Sequence, residues 1–208
     1  MKPTEKKMTK QALVVLAVVG LGVFGYTQFF TKGVERLPER VCSGAADRVI
    51  AEKVLPNTMT AAQRGKRGAA YSSSRGTVFF CSVKTHGEDS ILSGEVRVND
   101  VSLAKWRAGH SPGDGKSREV EVKRIVAMVT SEGVSVYVPC TRPEQDRQKP
   151  LESYALIADA RTIGDTRVSG VELQQYVADF AYQILRHTYR AEECQERQKF
   201  PAGLPDFE

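Results

Sequence analysis

The chain has 208 residues, of which 41% are hydrophobic and 26% charged, with a formal net charge of +5. That length suits one ordinary domain plus an appendage and leaves little room for a second independent core. Residues 1–11 hold four lysines (Lys2, Lys6, Lys7, Lys10) against Glu5, a net of +3; the remaining 26 basic and 24 acidic residues are too balanced for a surface that neutralises a run of phosphates, which excludes nucleic acid as a partner.

From Gln11 to Thr31 no residue is charged, and Ala12 to Phe30 is almost wholly apolar. At about 1.5 Å per residue that run would extend about 28 Å as a helix, close to the ~30 Å hydrocarbon thickness, so one transmembrane helix over 12–30 is expected, with membrane lipid as its partner. The lysines precede it and mixed charges follow it, which puts residues 1–11 in the cytoplasm and the rest outside. A cleaved signal peptide would need a shorter apolar core and a small-x-small site, and none follows Phe24. A lipidated cysteine needs small apolar neighbours, whereas Cys42 follows Glu39, Arg40 and Val41.

A stalk over 31–41 leads to an extracytoplasmic domain over 42–200 and a tail over 201–208. Ser43 is expected to cap a helix running to about Leu55, with Ala46, Val49, Ile50 and Val54 on its buried face. The Gly/Ser-rich, basic stretch 63–76 reads as an exposed loop. Its Arg64, Lys66, Arg67 and Arg75 are the candidate contacts for anionic headgroups or a polyanionic envelope polymer.

Strand signals follow at 77–84, 91–98, 118–129, 134–138 and 154–160, with Val96 and Val98, and Val134, Val136 and Val138, alternating with polar neighbours as a sheet with one wet face requires. The apolar parity changes between Val122 and Ile125, which predicts a bulge or break, and residues 130–133 form a natural hairpin turn. Ser169 and Glu172 then set a capping box, with Val168 and Leu173 as its staple. Leu173, Val177, Phe180, Ala181, Ile184, Leu185 and Thr188 form a helical stripe to about Arg197 that should cover the sheet. The expected fold is therefore α+β, an antiparallel sheet of about five strands packed by an N-terminal helix and a long C-terminal helix.

Cys42, Cys81, Cys140 and Cys194 all lie beyond the apolar run, where disulfides persist, so two disulfides are expected. Sequence alone leaves three pairings open. Sequential pairing is expected because each bond would then tie a helix to a strand, and zinc fails because no two cysteines lie within four residues of each other.

The anchor, a cysteine before the first helix, Phe80-Cys81-Ser82-Val83 on an early strand, Val136 to Cys140 on a late one, and a terminal helix ending in Glu193-Cys194 resemble a group of membrane-anchored extracytoplasmic proteins of actinobacteria. The likeness spans most of residues 10–195 and implies a cell-envelope location but no activity. The element order is also similar to the PsbP-like two-layer architecture, an analogy of fold that carries no function.

Catalytic motifs are thin. Gly115-Lys116-Ser117 matches only the end of a phosphate-binding loop and precedes a strand, so 109–117 reads as a surface turn. His86, His110 and His187 are scattered, His187 reading as solvated. Glu88-Asp89, Asp159 and Asp165 fall at turns or strand ends, and Trp106 reads as a cap on the core. No catalytic, cofactor-binding or metal-binding residue is assigned. The expected role is a non-enzymatic binding or scaffold module of the envelope, its partner an envelope protein or polyanionic polymer. An accessory subunit contacting partners through the anchor, with Gly20, Gly22 and Gly25 on a small-residue face, is the alternative. An envelope hydrolase would require a polar cleft joining His110 or another histidine to an acid.

Overall fold

The structure, a computed structural model, describes residues 13, 15–26, 32–68, 76–87, 89–110, 118–130, 133–142 and 154–207. Residues 15–26 form a helix, α1, whose apolar side chains are exposed, Leu16 at 67% and Leu21 at 72%. From Leu13 to Tyr26 it would run only about 20 Å. Among the described residues no helix is long and apolar enough to cross a membrane, which corrects the expected transmembrane helix.

After a 3₁₀ turn, Val34–Arg36, come β1 (Arg40–Val41), β2 (Ala46–Asp47), α2 (Arg48–Val54), β3 (Thr60–Arg67), β4 (Gly76–His86) and β5 (Ile91–Asn99). α3 (Leu103–His110), β6 (Arg118–Val122), β7 (Ile125–Thr130), β8 (Gly133–Pro139), β9 (Ala155–Ile163) and α4 (Gly170–Ala191) complete the fold. β3 to β9 form one sheet of seven strands, antiparallel throughout, in the order β3-β4-β5-β9-β8-β7-β6.

Seven strands replace the expected five for two local reasons. Lys123, in a left-handed conformation at φ 59°, reverses the chain between Val122 and Ile125, so the parity change marks a hairpin of β6 with β7 rather than one bent strand. β3 takes residues 63–67 of the stretch read as a loop, and 69–75 of that stretch lie outside the described residues. The β3 sequence lacks an apolar face, and it becomes a strand because β4 supplies a full ladder from Thr60↔His86 to Arg67↔Phe79. Gly65 allows β3 to lie against the chain at Cys42, since a Cβ there would stand 2.4 Å from a Cys42 backbone atom.

The first helix also starts later than Ser43. Cys42, Ser43 and Gly44 take positive φ in a turn joining β1 to β2, and α2 begins only at Arg48, which leaves Val49 54% exposed rather than on the buried face. Asp47 ties this corner to α4: its backbone N–H donates to Gln183 Oε1 at 2.7 Å, and Gln183 Nε2 donates to its carboxylate at 2.8 Å.

α4 lays its apolar stripe over one sheet face, with Val177, Phe180, Ala181, Ile184, Leu185 and Thr188 all buried as the periodicity requires. Ser169 occupies the N-cap position without a side-chain capping bond, so the box is not closed, and the helix ends at Ala191. Both disulfides pair sequentially, Cys42–Cys81 and Cys140–Cys194. The first ties the β1–β2 turn to β4; the second ties the end of β8 to the chain leaving α4. Two such bonds place the domain in an oxidising, extracytoplasmic compartment.

Beyond α4 the chain folds back along its helix. Tyr182 Oη donates to the Pro201 carbonyl at 2.7 Å, Phe207 N–H donates to Gln175 Oε1 at 2.9 Å, and Phe200 packs on Tyr182 and Tyr189. The Glu196 carboxylate, nearly buried, accepts from Thr141 N–H at 2.6 Å and from Thr141 Oγ1 at 2.5 Å.

Candidate functional site

Successive residues of a strand face opposite sides, so this sheet has two chemically different surfaces. On the α4 side Phe79, Cys81 and Val83 of β4, Leu92, Val96 and Val98 of β5, Val134, Val136 and Val138 of β8 and Leu156, Ala158 and Ala160 of β9 make the core. The opposite side is divided. Over β7, β8 and β9 it is apolar, and Trp106 of α3 closes it, packing with Val126, Met128, Tyr137, Ala155 and Ile157. Trp106 is thus the core cap the sequence suggests. Arg107 fastens α3 to β6 through Glu119 at 2.5 Å and Glu121 at 2.7 Å. Burial under α3 pushes the Tyr137 phenol up to about 12.

Over β3, β4, β5 and the end of β9 the same side is polar, and among the described residues no helix covers it. Register places Lys66, Phe80, Glu95, Asp159 and Ser135 in one cross-strand row. Arg64, Ser82, Ser93 and Arg161 form the next. A cleft of about 420 Å³ opens here, walled by Phe80, Ser93, Glu95, Arg97, Asp159 and Arg161, with His110 at its border where α3 ends. That volume lies within the range of small-molecule sites.

The floor of the cleft is held by a charge network. Arg97 bonds the Asp159 carboxylate and lies 3.6 Å from Glu95, and Ser135 Oγ donates to the other Asp159 oxygen at 2.6 Å. Glu95 and Asp159 are direct register partners on adjacent strands, and Arg97, two residues along β5 from Glu95, reaches Asp159 diagonally, so the ladder sets their spacing.

His110 lines the same cleft as Glu95 and Asp159, the combination a hydrolase requires. The hydrogen bonds there differ from those of a nucleophile and base, however. Ser135, only 4% exposed, donates to Asp159 rather than to histidine. His110 Nδ1 lies 2.9 Å from the Trp106 carbonyl and therefore donates to it, with the imidazole against the indole. Among the described residues no group of His, Cys, Asp and Glu is placed to hold a metal ion.

The four basic residues singled out from the sequence do not act together. Arg64 and Lys66 face the cleft side, whereas Arg67 has the opposite parity, toward α4, and Arg75 lies outside the described residues, as does Tyr71. Asp159, expected at a strand end, lies within β9 and is paired on both sides, and Ser93, Glu95, Arg97, Ser135 and Arg161 carry no motif in the sequence, although one signal of the cleft is present. In β4 the wet-face positions Phe80, Ser82 and Lys84 alternate with buried Phe79, Cys81 and Val83, which makes Phe80 a large aromatic residue at a polar parity.

His187 is not solvated as expected. Its ring lies 5.3 Å from that of Phe79, and burial lowers its pKa, with the charges of Arg67, Arg40 and Arg190 adding to the effect. A histidine pKa depressed on folding gives stability that is present above the unfolded value of 6.5 and is lost as pH falls through it and the lower folded value. Urea denaturation at about pH 7.5 and about pH 5.5 is expected to show lower stability in acid, with a smaller drop in His187→Gln.

The fold and site define an extracytoplasmic, disulfide-bonded α+β protein with one sheet face covered by α4 and the other part closed by α3 and part polar cleft. No family model, no curated protein and no solved structure matches the chain.

Proposed function

We propose that the protein is a binding module of the cell envelope that takes its ligand on the open sheet face. The carrying observation is the cleft itself. The sheet surface that α4 and α3 leave bare has a concave polar pocket whose acids and Arg97 are held in place before any ligand arrives. Preorganised polar groups in a cleft of this volume favour recognition. The apolar α1 carries a surface that water solvates poorly, which supports contact with membrane lipid or with an apolar face of another envelope protein. The latter is the accessory-subunit reading.

The test uses full-length protein in mild detergent, sedimented with lipid-free cell-wall material. Wild type is expected to pellet, and Ser93→Trp, which fills the cleft, is expected to stay in solution while melting normally. Equal pelleting of both proteins, or of neither, would remove the cleft from the reading and leave contact through α1.

A further inference from the structure

We infer that the open face binds an anionic glycan, its sugar ring stacked on Phe80 and its acid group held by unpaired cations; this rests on the reading of the face as the ligand site. Lys66, Phe80 and Glu95 are direct cross-strand neighbours, and Phe80 is 37% exposed with its ring at the cleft wall. An aromatic face among polar groups offers a platform for an apolar surface that water hydrates weakly. The C–H face of a sugar is such a surface, and its ring hydroxyls suit short polar partners. Ser82 and Ser93, adjacent on β4 and β5 in the next row, supply hydroxyls beside it.

The charges decide the sign of the ligand. Both acids of the cleft are engaged by Arg97. Among the described residues no acid pairs with Arg64, Lys66 or Arg161, so every uncommitted charge on this face is positive. Arg64 and Arg161 end the row through Ser82 and Ser93, three strand spacings or about 14 Å apart. A carboxylate or phosphodiester carried on sugars reaches these cations while its ring lies on Phe80. A peptide would find no backbone groups to pair with in the middle of a complete ladder. Nucleic acid offers similar phosphodiesters but belongs to another compartment than a disulfide-bonded domain.

The experiment measures binding of labelled oligomers to full-length protein in detergent, using a hexagalacturonate, a phosphodiester-linked hexose oligomer, a neutral galactan of equal length and an oligothymidylate. An anionic glycan is expected to bind more tightly than the neutral one. Phe80→Ala, and separately Lys66→Gln with Arg161→Gln, are each expected to weaken it roughly tenfold without altering the melting temperature. The carboxylate and phosphodiester arms identify the source of the anion. Equal binding of the neutral glycan, indifference to Phe80→Ala, or tighter binding of oligothymidylate would overturn the inference. If no oligomer binds while wall sedimentation still depends on Ser93, the ligand class is wrong and the binding module stands; if both fail, both readings fall.

Discussion

Replacing Cys140 and Cys194 together by alanine is expected to lower stability by about 4 kcal/mol, the chain-entropy value for a loop of this length. The bond spans 54 residues of sequence and closes a loop containing β9 and all of α4. Its loss would also strain what the bond aligns. Next to Cys140, Thr141 makes its two bonds to Glu196, and Arg142 meets Glu192 at 3.3 Å with both side chains nearly buried. Without the covalent tie, those groups must be held by their own contacts against the freedom of the chain end. Urea denaturation would show the midpoint falling at little changed slope, and thermal melting would fall by roughly 10 °C for a chain of this size. A loss below about 1 kcal/mol would mean that the polar contacts hold the C-terminal segment unaided.

Phe180→Ala is expected to cost about 3 to 5 kcal/mol, the range for truncating a fully buried phenylalanine. Phe180 is 1% exposed and lies where α4 crosses β5. There the sheet narrows to Gly94, and a Cβ at that position would stand 2.6 Å from Ile184 Cδ1 and 3.2 Å from the Phe180 ring. The ring therefore fills space that the sheet leaves by having no side chain at Gly94, and neighbouring strands cannot collapse into the gap. Val171→Ala, on the first turn of the same helix but 38% exposed, is the control and should cost under about 1 kcal/mol. Comparable losses at the two positions would refute the packing assigned to α4.

How much of this was legible follows from the range over which each signal acts. The α4 stripe, the strands at 77–84, 91–98, 134–138 and 154–160, and the compartment implied by four cysteines beyond an apolar run were all readable. Each rests on the period of a short segment or on composition. The break at Lys123 left a trace in the parity of its valines, but the trace did not distinguish a bulge from a hairpin. The capping box at Ser169 was a sound local pattern that the tertiary structure did not close.

The chain by itself determined one amphipathic helix, the apolar strand positions beneath it and the cysteines that bind them, because apolar periodicity selects which side of an element leaves water. The closing of half the second face by α3 was decided by the tertiary structure. Only the tertiary structure decided that the polar segment Thr60–Arg67 is a strand, since an edge strand is held by the backbone groups of its neighbour. It alone placed His187 beside Phe79 among arginines. The cleft is of the same kind: Lys66, Phe80, Glu95, Asp159 and Ser135 are distant in sequence and become neighbours only through the register of five strands. Register is set by long-range pairing and packing, which no local window of sequence contains.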